Sequence, residues 1–265
     1  MVRKISSISW IEALNAGNAR RKSICRWHDV DSLPGLHSIA DLLNTNYMPQ
    51  LPRPTAILWD LDGTLIDQSA AILRCFAEVV TQMGYPTPGE STIRRSMGGT
   101  MPETMAIFVA PAKLEAACRA FRARFPEIMF DGLIVLPGGP ELIERAYKAR
   151  IPQALFTNKH GETARRVSRY AGFAKYIPTC IGSGDTTWQK PQPELTHYVL
   201  AQIDAPAAGA VIIGDSPTDV AVAHNAGLSC YSVATGAHRC DELLAAGASA
   251  AFPSLPSLNQ SLLPA

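Results

Sequence analysis

Two aspartates separated by one residue stand at the end of an unbroken apolar run. The run Ala56 to Trp59 is followed by Asp60 and Asp62, and Gly63 comes next. Such a run is typical of a strand buried on both faces of a parallel sheet, and ligands of these sheets bind at the carboxyl ends of the strands. Two carboxylates this close repel each other, so we expect a bound cation or a retained proton. A bound cation or a retained proton would each indicate a functional site. The alternative interpretation is that these residues simply form a turn of the chain.

Strands and helices alternate in the second half of the chain. From position 136 onward, apolar runs such as 154–156 and 211–213 alternate with helical stretches that end at glycines. This alternation predicts an α/β fold with a doubly wound parallel sheet. Residues 68–137 have helical periodicity and no buried strand, which predicts an all-helical block inserted after the first strand.

Polar residues follow three of the predicted strands. Thr157 and Asn158 come after one apolar run and Asp215 after another, while Lys190 lies just before a helix. The carboxyl ends of parallel strands meet at one edge of a sheet, so all of these residues are expected near Asp60. A single binding site at this edge accounts for all of these polar residues. A turn accounts only for Asp60 and Asp62.

The residue types at that edge suit a phosphate bound beside a metal ion. Carboxylates from Asp60 and Asp215 are the ligands that Mg²⁺ prefers. Lys190 as a point cation and Thr157 as a hydroxyl donor suit phosphate oxygens, and the backbone N–H group of Asn158 can add a donor. The sequence therefore predicts Mg²⁺ as the cofactor and a phosphorylated small molecule as the ligand.

The pair of aspartates can divide the work of phosphoryl transfer. Asp60 can attack phosphorus to form an aspartyl phosphate. Asp62 can protonate the leaving oxygen and then deprotonate the water that hydrolyses the intermediate. Backbone N–H groups around Gly63 and Thr64 can support the phosphate, and Ser216 can donate to phosphate or cap the following helix.

Four motifs of the chain resemble those of the haloacid dehalogenase superfamily, in the same order. They are Asp60-Leu-Asp62-Gly63-Thr64, Thr157-Asn158, Lys190-Pro-x-Pro and Gly214-Asp215-Ser216-x-x-Asp219. Leu136-Pro-Gly138 ahead of a helix is similar to the phosphoglycolate phosphatase-like branch. The resemblance covers residues 54 to about 252.

The resemblance implies a role for each motif residue. Asp60 is then the nucleophile, and Asp62 is the acid and base with its main-chain carbonyl on Mg²⁺. Asp215 is a metal ligand, and Asp219 supports Lys190 or a metal-bound water. Thr157, Asn158 and Lys190 are the phosphate-binding residues. Hydrolytic dehalogenases of the family lack the second aspartate of the first motif, so Asp62 favours phosphoryl transfer.

The resemblance also implies a domain organisation. Residues 54–67 and 138–252 are expected to form a Rossmann-like catalytic core, and 68–137 a helical cap. Residues 253–265 are a C-terminal tail. Residues 1–53 precede the point where family members normally begin, and this extension is expected to pack on the core or to bind a protein partner.

Composition and charge exclude several classes of function. The chain has 265 residues and a net charge of +1, so nothing indicates nucleic acid or anionic membrane as a partner. Its six cysteines lack any Cys-x-x-Cys pair, which favours free thiols in the cytoplasm over a disulfide framework or a zinc site. No apolar run of the sequence is long enough to span a bilayer.

The sequence therefore predicts a Mg²⁺-dependent phosphatase of a small phosphorylated metabolite, with phosphoglycolate favoured by the resemblance. Two other classes stay open. One is an isomerase of the sugar phosphomutase type on the same core. The other is a non-catalytic protein that binds a partner through residues 1–53.

Overall fold

Eight strands form two sheets in residues 50–263, the part of the chain that the computed structural model describes. The strands are β1 (Ala56–Trp59), β2 (Ile66–Asp67), β3 (Ile134–Val135), β4 (Gln153–His160), β5 (Cys180–Ser183), β6 (Ala210–Gly214), β7 (Ser229–Val233) and β8 (Ala250–Phe252). Six of them are parallel, in the order β5-β4-β1-β6-β7-β8. The predicted α/β class with a doubly wound parallel sheet is confirmed.

Ten α-helices accompany these strands in the described residues. They are α1 (Ser69–Gln82), α2 (Glu90–Ser96), α3 (Met101–Ala106), α4 (Pro111–Ile128), α5 (Gly139–Lys148), α6 (Gly161–Tyr170), α7 (Pro193–Gln202), α8 (Pro217–Asn225), α9 (Cys240–Ala245) and α10 (Leu255–Leu262). None of them is both long and apolar enough to cross a membrane.

The side chains of β1 alternate between two hydrophobic clusters, one on each face of the sheet. Ile57 and Trp59 belong to the cluster that α5, α6 and α10 cover. Ala56 and Leu58 belong to the other, which α7, α8 and α9 cover. Because both faces of the strand are buried, all four residues of β1 are apolar, and the first polar residue comes directly after the strand. That position is Asp60.

Helices α1–α4 form an insert (residues 69–128) between β2 and β3. Its core contains a row of aromatic rings: Phe76 lies 4.8 Å from Phe121, and Phe121 lies 5.3 Å from Phe125, between ring centroids. β2 and β3 pair in antiparallel orientation. The two chain crossings between sheet and insert therefore lie side by side, which is a suitable geometry for a hinge.

The structure corrects the predicted end of one strand. Thr157 and Asn158 were expected after the strand, but β4 continues through both residues to His160. Its register against β5 shifts between Phe156 and His160. Main-chain pairing does not depend on side-chain type, so a polar side chain does not by itself end a strand.

The C-terminal residues contain two elements that the sequence did not predict. β8 adds a sixth strand beside β7, and α10 lies within the stretch 253–265 that was expected to be a tail. Leu255, Leu258 and Leu262 of α10 are buried. Their spacing is helical, yet the stretch is too short and too rich in proline to be predicted with certainty from periodicity.

The first described residues contact the core. The main-chain N–H of Leu51 donates to the oxygen of Ser261 across 2.9 Å, and Nη2 of Arg53 donates to the oxygen of Ala149 across 2.7 Å. The predictions for the rest of the N-terminal extension lie outside the described residues.

Candidate active site

Three buried carboxylates meet at the carboxyl end of the sheet. Asp60 follows β1, Asp215 follows the neighbouring strand β6, and Asp219 lies in the first turn of α8. One carboxylate oxygen from each lies within 4.8 Å of the others. The sequence placed Asp60 and Asp215 at this edge and gave Asp219 a supporting role. The structure brings all three together.

Lys190 lies among these carboxylates. Its Nζ is 2.7 Å from Oδ1 of Asp60 and 2.7 Å from Oδ1 of Asp219, and 4.1 Å from the centroid of the Phe156 ring. Burial acts to lower the pKa of Lys190, but the charges of Asp219 and Asp60 outweigh it and raise the pKa. The side chain is therefore a fixed cation at neutral pH.

The positive charge of Lys190 does not compensate fully for the burial of the neighbouring carboxyl groups. Burial raises the pKa of Asp60 to about 7, in spite of the attraction of Lys190. Burial also raises the pKa of Asp215 well above its ordinary value, and the charge of Asp60 acts in the same direction. A cluster of buried carboxylate oxygens in this state suits a hard divalent cation. Asp60, Asp215 and Asp219 are therefore suitable residues to hold Mg²⁺.

Asp62 forms its ion pair with a different lysine from the one that pairs with Asp60. Its two carboxylate oxygens lie 3.0 Å and 2.9 Å from Nζ of Lys159. The sequence did not identify Lys159 as a site residue. Its position directly after Thr157-Asn158 was the available signal, but nothing local indicated that its side chain points back to the first loop.

The loop after β1 is tied to Asp215. Oγ1 of Thr64 donates to Oδ1 of Asp215 across 2.9 Å, and Oγ1 of Thr235 donates to the main-chain oxygen of Gly63 across 2.6 Å. Gly63 has φ +86°, and a Cβ there would lie 2.4 Å from Oδ2 of Asp215. Only glycine combines this backbone conformation with such a close approach.

The side chain of Asn158 has contacts that the sequence did not predict, while the use of its backbone N–H group for a phosphate stays a prediction. Its Oδ1 accepts from the N–H of Lys190 across 2.9 Å, and its Nδ2 donates to the oxygens of Lys190 and Gly98 across 3.2 Å and 2.9 Å. The side chain thus holds the backbone at Lys190 and contacts the loop after α2.

Thr157 is buried, and its Oγ1 accepts from the N–H of Lys159 across 3.2 Å. The hydroxyl proton of Thr157 is therefore left for a phosphate oxygen.

Ser216 caps α8. It is the N-cap residue, and its hydroxyl accepts from the N–H of Asp219 across 3.4 Å. The carboxylate of Asp219 in turn accepts from the N–H and the hydroxyl of Ser216 across 3.1 Å and 2.6 Å. This reciprocal capping box fixes the side chain of Asp219 beside Lys190. Of the two roles predicted for Ser216, the structure contains the cap.

A cavity of about 270 Å³ lies between these residues and the insert. Asp60, Asp62, Thr157 and Lys159 line it on the side of the sheet. The insert contributes mainly apolar side chains, which are Ile72, Phe76, Met97, Met101, Phe121 and Phe125. The volume is just below the range of pockets for drug-sized ligands and suits a small molecule.

A second cavity, of about 350 Å³, lies at the opposite, amino-terminal edge of the sheet. It is lined by Arg53, Gly209, Tyr231 and neighbouring residues, and none of the predicted site residues reaches it. The cavity at the carboxyl edge is therefore the candidate active site, because of these two cavities in the described residues it is the one where carboxylates and a lysine converge.

Comparisons with known proteins identify the family of the chain. A family model described as "Haloacid dehalogenase-like hydrolase" matches residues 57–233, more than half of the chain. The chain is 25% identical over 199 residues to a phosphoglycolate phosphatase of Pseudomonas fluorescens, with 72% of each protein covered. It is 27% identical over 217 residues to the plasmid phosphoglycolate phosphatase of Cupriavidus necator, covering 80% of this chain and 94% of that protein.

A solved structure has the same fold. CbbY from Rhodobacter sphaeroides, in complex with xylulose-(1,5)bisphosphate, superimposes with a TM-score of 0.65 at 26% identity, covering 76% of this chain and 95% of CbbY. The residues matched by the family model include the whole candidate site from Asp60 to Asp219.

Proposed function

This chain belongs to the haloacid dehalogenase-like hydrolase family, and on that premise we propose that it is a Mg²⁺-dependent phosphatase of a small phosphorylated metabolite. The chain is related to phosphoglycolate phosphatases. Its activity class is therefore the hydrolysis of phosphoric monoesters. One observation carries the proposal: Asp60 and Asp62 line the same cavity, yet each is paired with its own lysine. Two carboxylates in different surroundings can take different roles in one reaction.

Asp60 is the nucleophile in this proposal. Its carboxylate oxygen attacks phosphorus, and the bond to the leaving oxygen breaks with its electron pair on that oxygen. Asp62 donates a proton to the leaving oxygen. Water then attacks phosphorus of the aspartyl phosphate, Asp62 accepts a proton from that water, and the carboxylate of Asp60 is released with phosphate as the product.

Lys190, Thr157 and the backbone N–H group of Asn158 bind the phosphate oxygens, and the side chain of Asn158 holds the backbone of Lys190. The carboxylates of Asp60 and Asp215, with the main-chain carbonyl of Asp62, would hold Mg²⁺, and Asp219 would support Lys190 or a water on the ion. When bound, the ion neutralises charge on the phosphate and so permits an anionic ester to approach an anionic nucleophile.

The insert acts as the cap of this active site. We assign residues 54–67 and 138–252, together with α10 that packs on them, to the catalytic core and 68–137 to the cap. Closure of the cap shields the reaction from bulk water and limits the size of the leaving group. Among small esters, phosphoglycolate is the favoured substrate, because two relatives carry that name.

The test is hydrolysis of p-nitrophenyl phosphate with Mg²⁺ by the wild type, by Asp60→Asn and by a control, Asp204→Asn. Asp204 is exposed and has φ +50°, which asparagine tolerates. We expect Asp60→Asn to lose at least about a thousandfold in kcat and the control to match the wild type. Equal activity in Asp60→Asn and the wild type would overturn the mechanism.

A panel of phosphoglycolate, glycerol phosphate and sugar phosphates then identifies the substrate. Release of inorganic phosphate supports a phosphatase. Interconversion of sugar phosphates without release would assign the chain to the phosphomutases instead.

A further inference from the structure

Lys159 lies between Asp62 and the insert. Its Nζ is within 3.0 Å of both carboxylate oxygens of Asp62, and on its other side it lies 5.0 Å from the centroid of the Phe125 ring in α4. The side chains of Lys159 and Asp62 are only 8% and 14% exposed. Both line the cavity, so this ion pair faces the space that a substrate would fill.

The contacts of Lys159 restrict the carboxylate of Asp62. A cation that touches both oxygens opposes rotation of the carboxylate, and breaking such a shielded pair leaves a charge with few partners. The backbone of Lys159 belongs to β4, and its N–H donates to Oγ1 of Thr157 across 3.2 Å. The sheet therefore fixes the lysine, and the lysine fixes the aspartate of the first loop.

We propose that Lys159 is a positioning residue that aims Asp62 at the leaving-group oxygen of a phosphate ester. This rests on the proposed function, because it takes Asp62 as the general acid and base. As a carboxylate, Asp62 accepts from Lys159 with both oxygens. Once protonated, it keeps one oxygen on Lys159 and donates its O–H to the leaving oxygen. The proton passes between Asp62 and that oxygen, and Lys159 retains its own protons.

Leaving groups differ in how much their departure depends on a correctly oriented proton donor. An alkoxide is a poor leaving group and requires a proton as the P–O bond breaks, whereas 2,4-dinitrophenolate leaves without one. A misdirected Asp62 therefore slows hydrolysis of an alkyl phosphate much more than hydrolysis of 2,4-dinitrophenyl phosphate. The ratio kcat/KM includes the steps up to release of the alcohol, so it isolates this half of the reaction.

The experiment measures kcat/KM with Mg²⁺ for 2,4-dinitrophenyl phosphate and for the best alkyl phosphate of the substrate panel. We expect Lys159→Met to lose at least about tenfold more on the alkyl ester than on the aryl ester, and Lys159→Arg to recover part of that difference. Lys113→Met is the matched control, because Nζ of Lys113 lies 5.6 Å from the centroid of the Tyr85 ring on the insert and pairs with no acid of the site. It should match the wild type on both esters.

A double-variant cycle separates positioning from folding. Because Lys159 acts through Asp62, we expect Lys159→Met to cost little further selectivity in an Asp62→Asn background. A purely structural lysine would lower kcat/KM equally for both esters, and that result, or full additivity with Asp62→Asn, would overturn the proposal. If Lys159→Met melts below the assay temperature, Lys159→Gln is judged by the same criterion.

The same measurements distinguish this inference from the proposed function. A wild type that hydrolyses neither ester would overturn both. An active wild type whose selectivity between the esters is unchanged by Lys159→Met would overturn the role of Lys159 alone.

Discussion

The side-chain amide of Asn158, in β4, donates a hydrogen bond of 2.9 Å to the main-chain oxygen of Gly98, in the insert. The same amide group holds the backbone of Lys190. One side chain therefore connects the insert to the lysine that sits between Asp60 and Asp219. The position of the insert over the site and the position of Lys190 are coupled through Asn158.

Gly98→Ala should prevent this contact. A Cβ at Gly98 would lie 2.7 Å from Oγ of Ser216, and Gly98 has φ +107°, so the loop must move away from the site. We expect kcat/KM for the preferred substrate to fall at least about tenfold, because small displacements at a catalytic site are costly. Steady-state kinetics measures this.

Gly84→Ala is the matched control for Gly98→Ala. Gly84 has φ +85°, but a Cβ there would meet no heavy atom within 4 Å. This variant should lose about 1 kcal/mol of stability through backbone strain while its kcat/KM stays at the wild-type value. Equal kinetic losses in the two variants would show that the close approach to Ser216 is unimportant.

Mg²⁺ should stabilise the folded protein through Asp215. A ligand at a hundred times its Kd adds about 2.7 kcal/mol to the free energy of unfolding, and we expect a corresponding rise in Tm. Asp215→Asn removes one carboxylate but keeps an oxygen for Thr64, so its Tm should respond much less to Mg²⁺. Asp204→Asn should respond as the wild type does. The prediction fails if Asp215→Asn and the wild type give the same rise, as measured by calorimetry.

Glu78 should stabilise the insert in a manner that depends on pH. Hydrogen bonds from Arg124 and Arg74 lower the pKa of Glu78 to about 2. A carboxyl whose pKa is lowered on folding contributes stability above its unfolded pKa of about 4.5, and that stability is lost as the pH falls towards 2. Glu78→Gln should therefore have a lower urea midpoint than the wild type at pH 7, and the difference should shrink at pH 3.5.

Salt provides the check on this interpretation of Glu78. Glu78 and Arg74 are exposed and Arg124 is partly exposed, so the effect at pH 7 should be small and should decrease at high ionic strength. A midpoint difference that is independent of both pH and salt would indicate altered packing instead of charge.

Leu258→Ala should test whether α10 is part of the core. The side chain of Leu258 is fully buried, so its truncation should cost about 2–5 kcal/mol in the free energy of unfolding. Ile107→Ala is the comparison, because Ile107 is 55% exposed and should change stability by about 0.5 kcal/mol or less. Urea denaturation measures both. A loss in Leu258→Ala as small as that in Ile107→Ala would make the last helix dispensable.

Much of the fold and part of the site follow from local patterns of residues. The apolar run before Asp60 and the run before Asp215 predict buried strands of a parallel sheet, since each pattern describes its own segment. The same reasoning failed for β8 and α10, where three or eight residues give too little periodicity to interpret. It also ended β4 too early, because side-chain polarity does not control main-chain pairing.

The sequence by itself determined the α/β class, the edge of the sheet where the candidate site lies, and the identity of Asp60, Asp215 and Lys190 as residues of that edge. These conclusions depend on the order of elements, which local composition specifies. Only the tertiary structure decided that Lys159 pairs with Asp62, 97 positions earlier in the chain, and that Asn158 contacts Gly98. Such contacts depend on where the sheet and the insert place distant side chains, and no local pattern of residues contains that information.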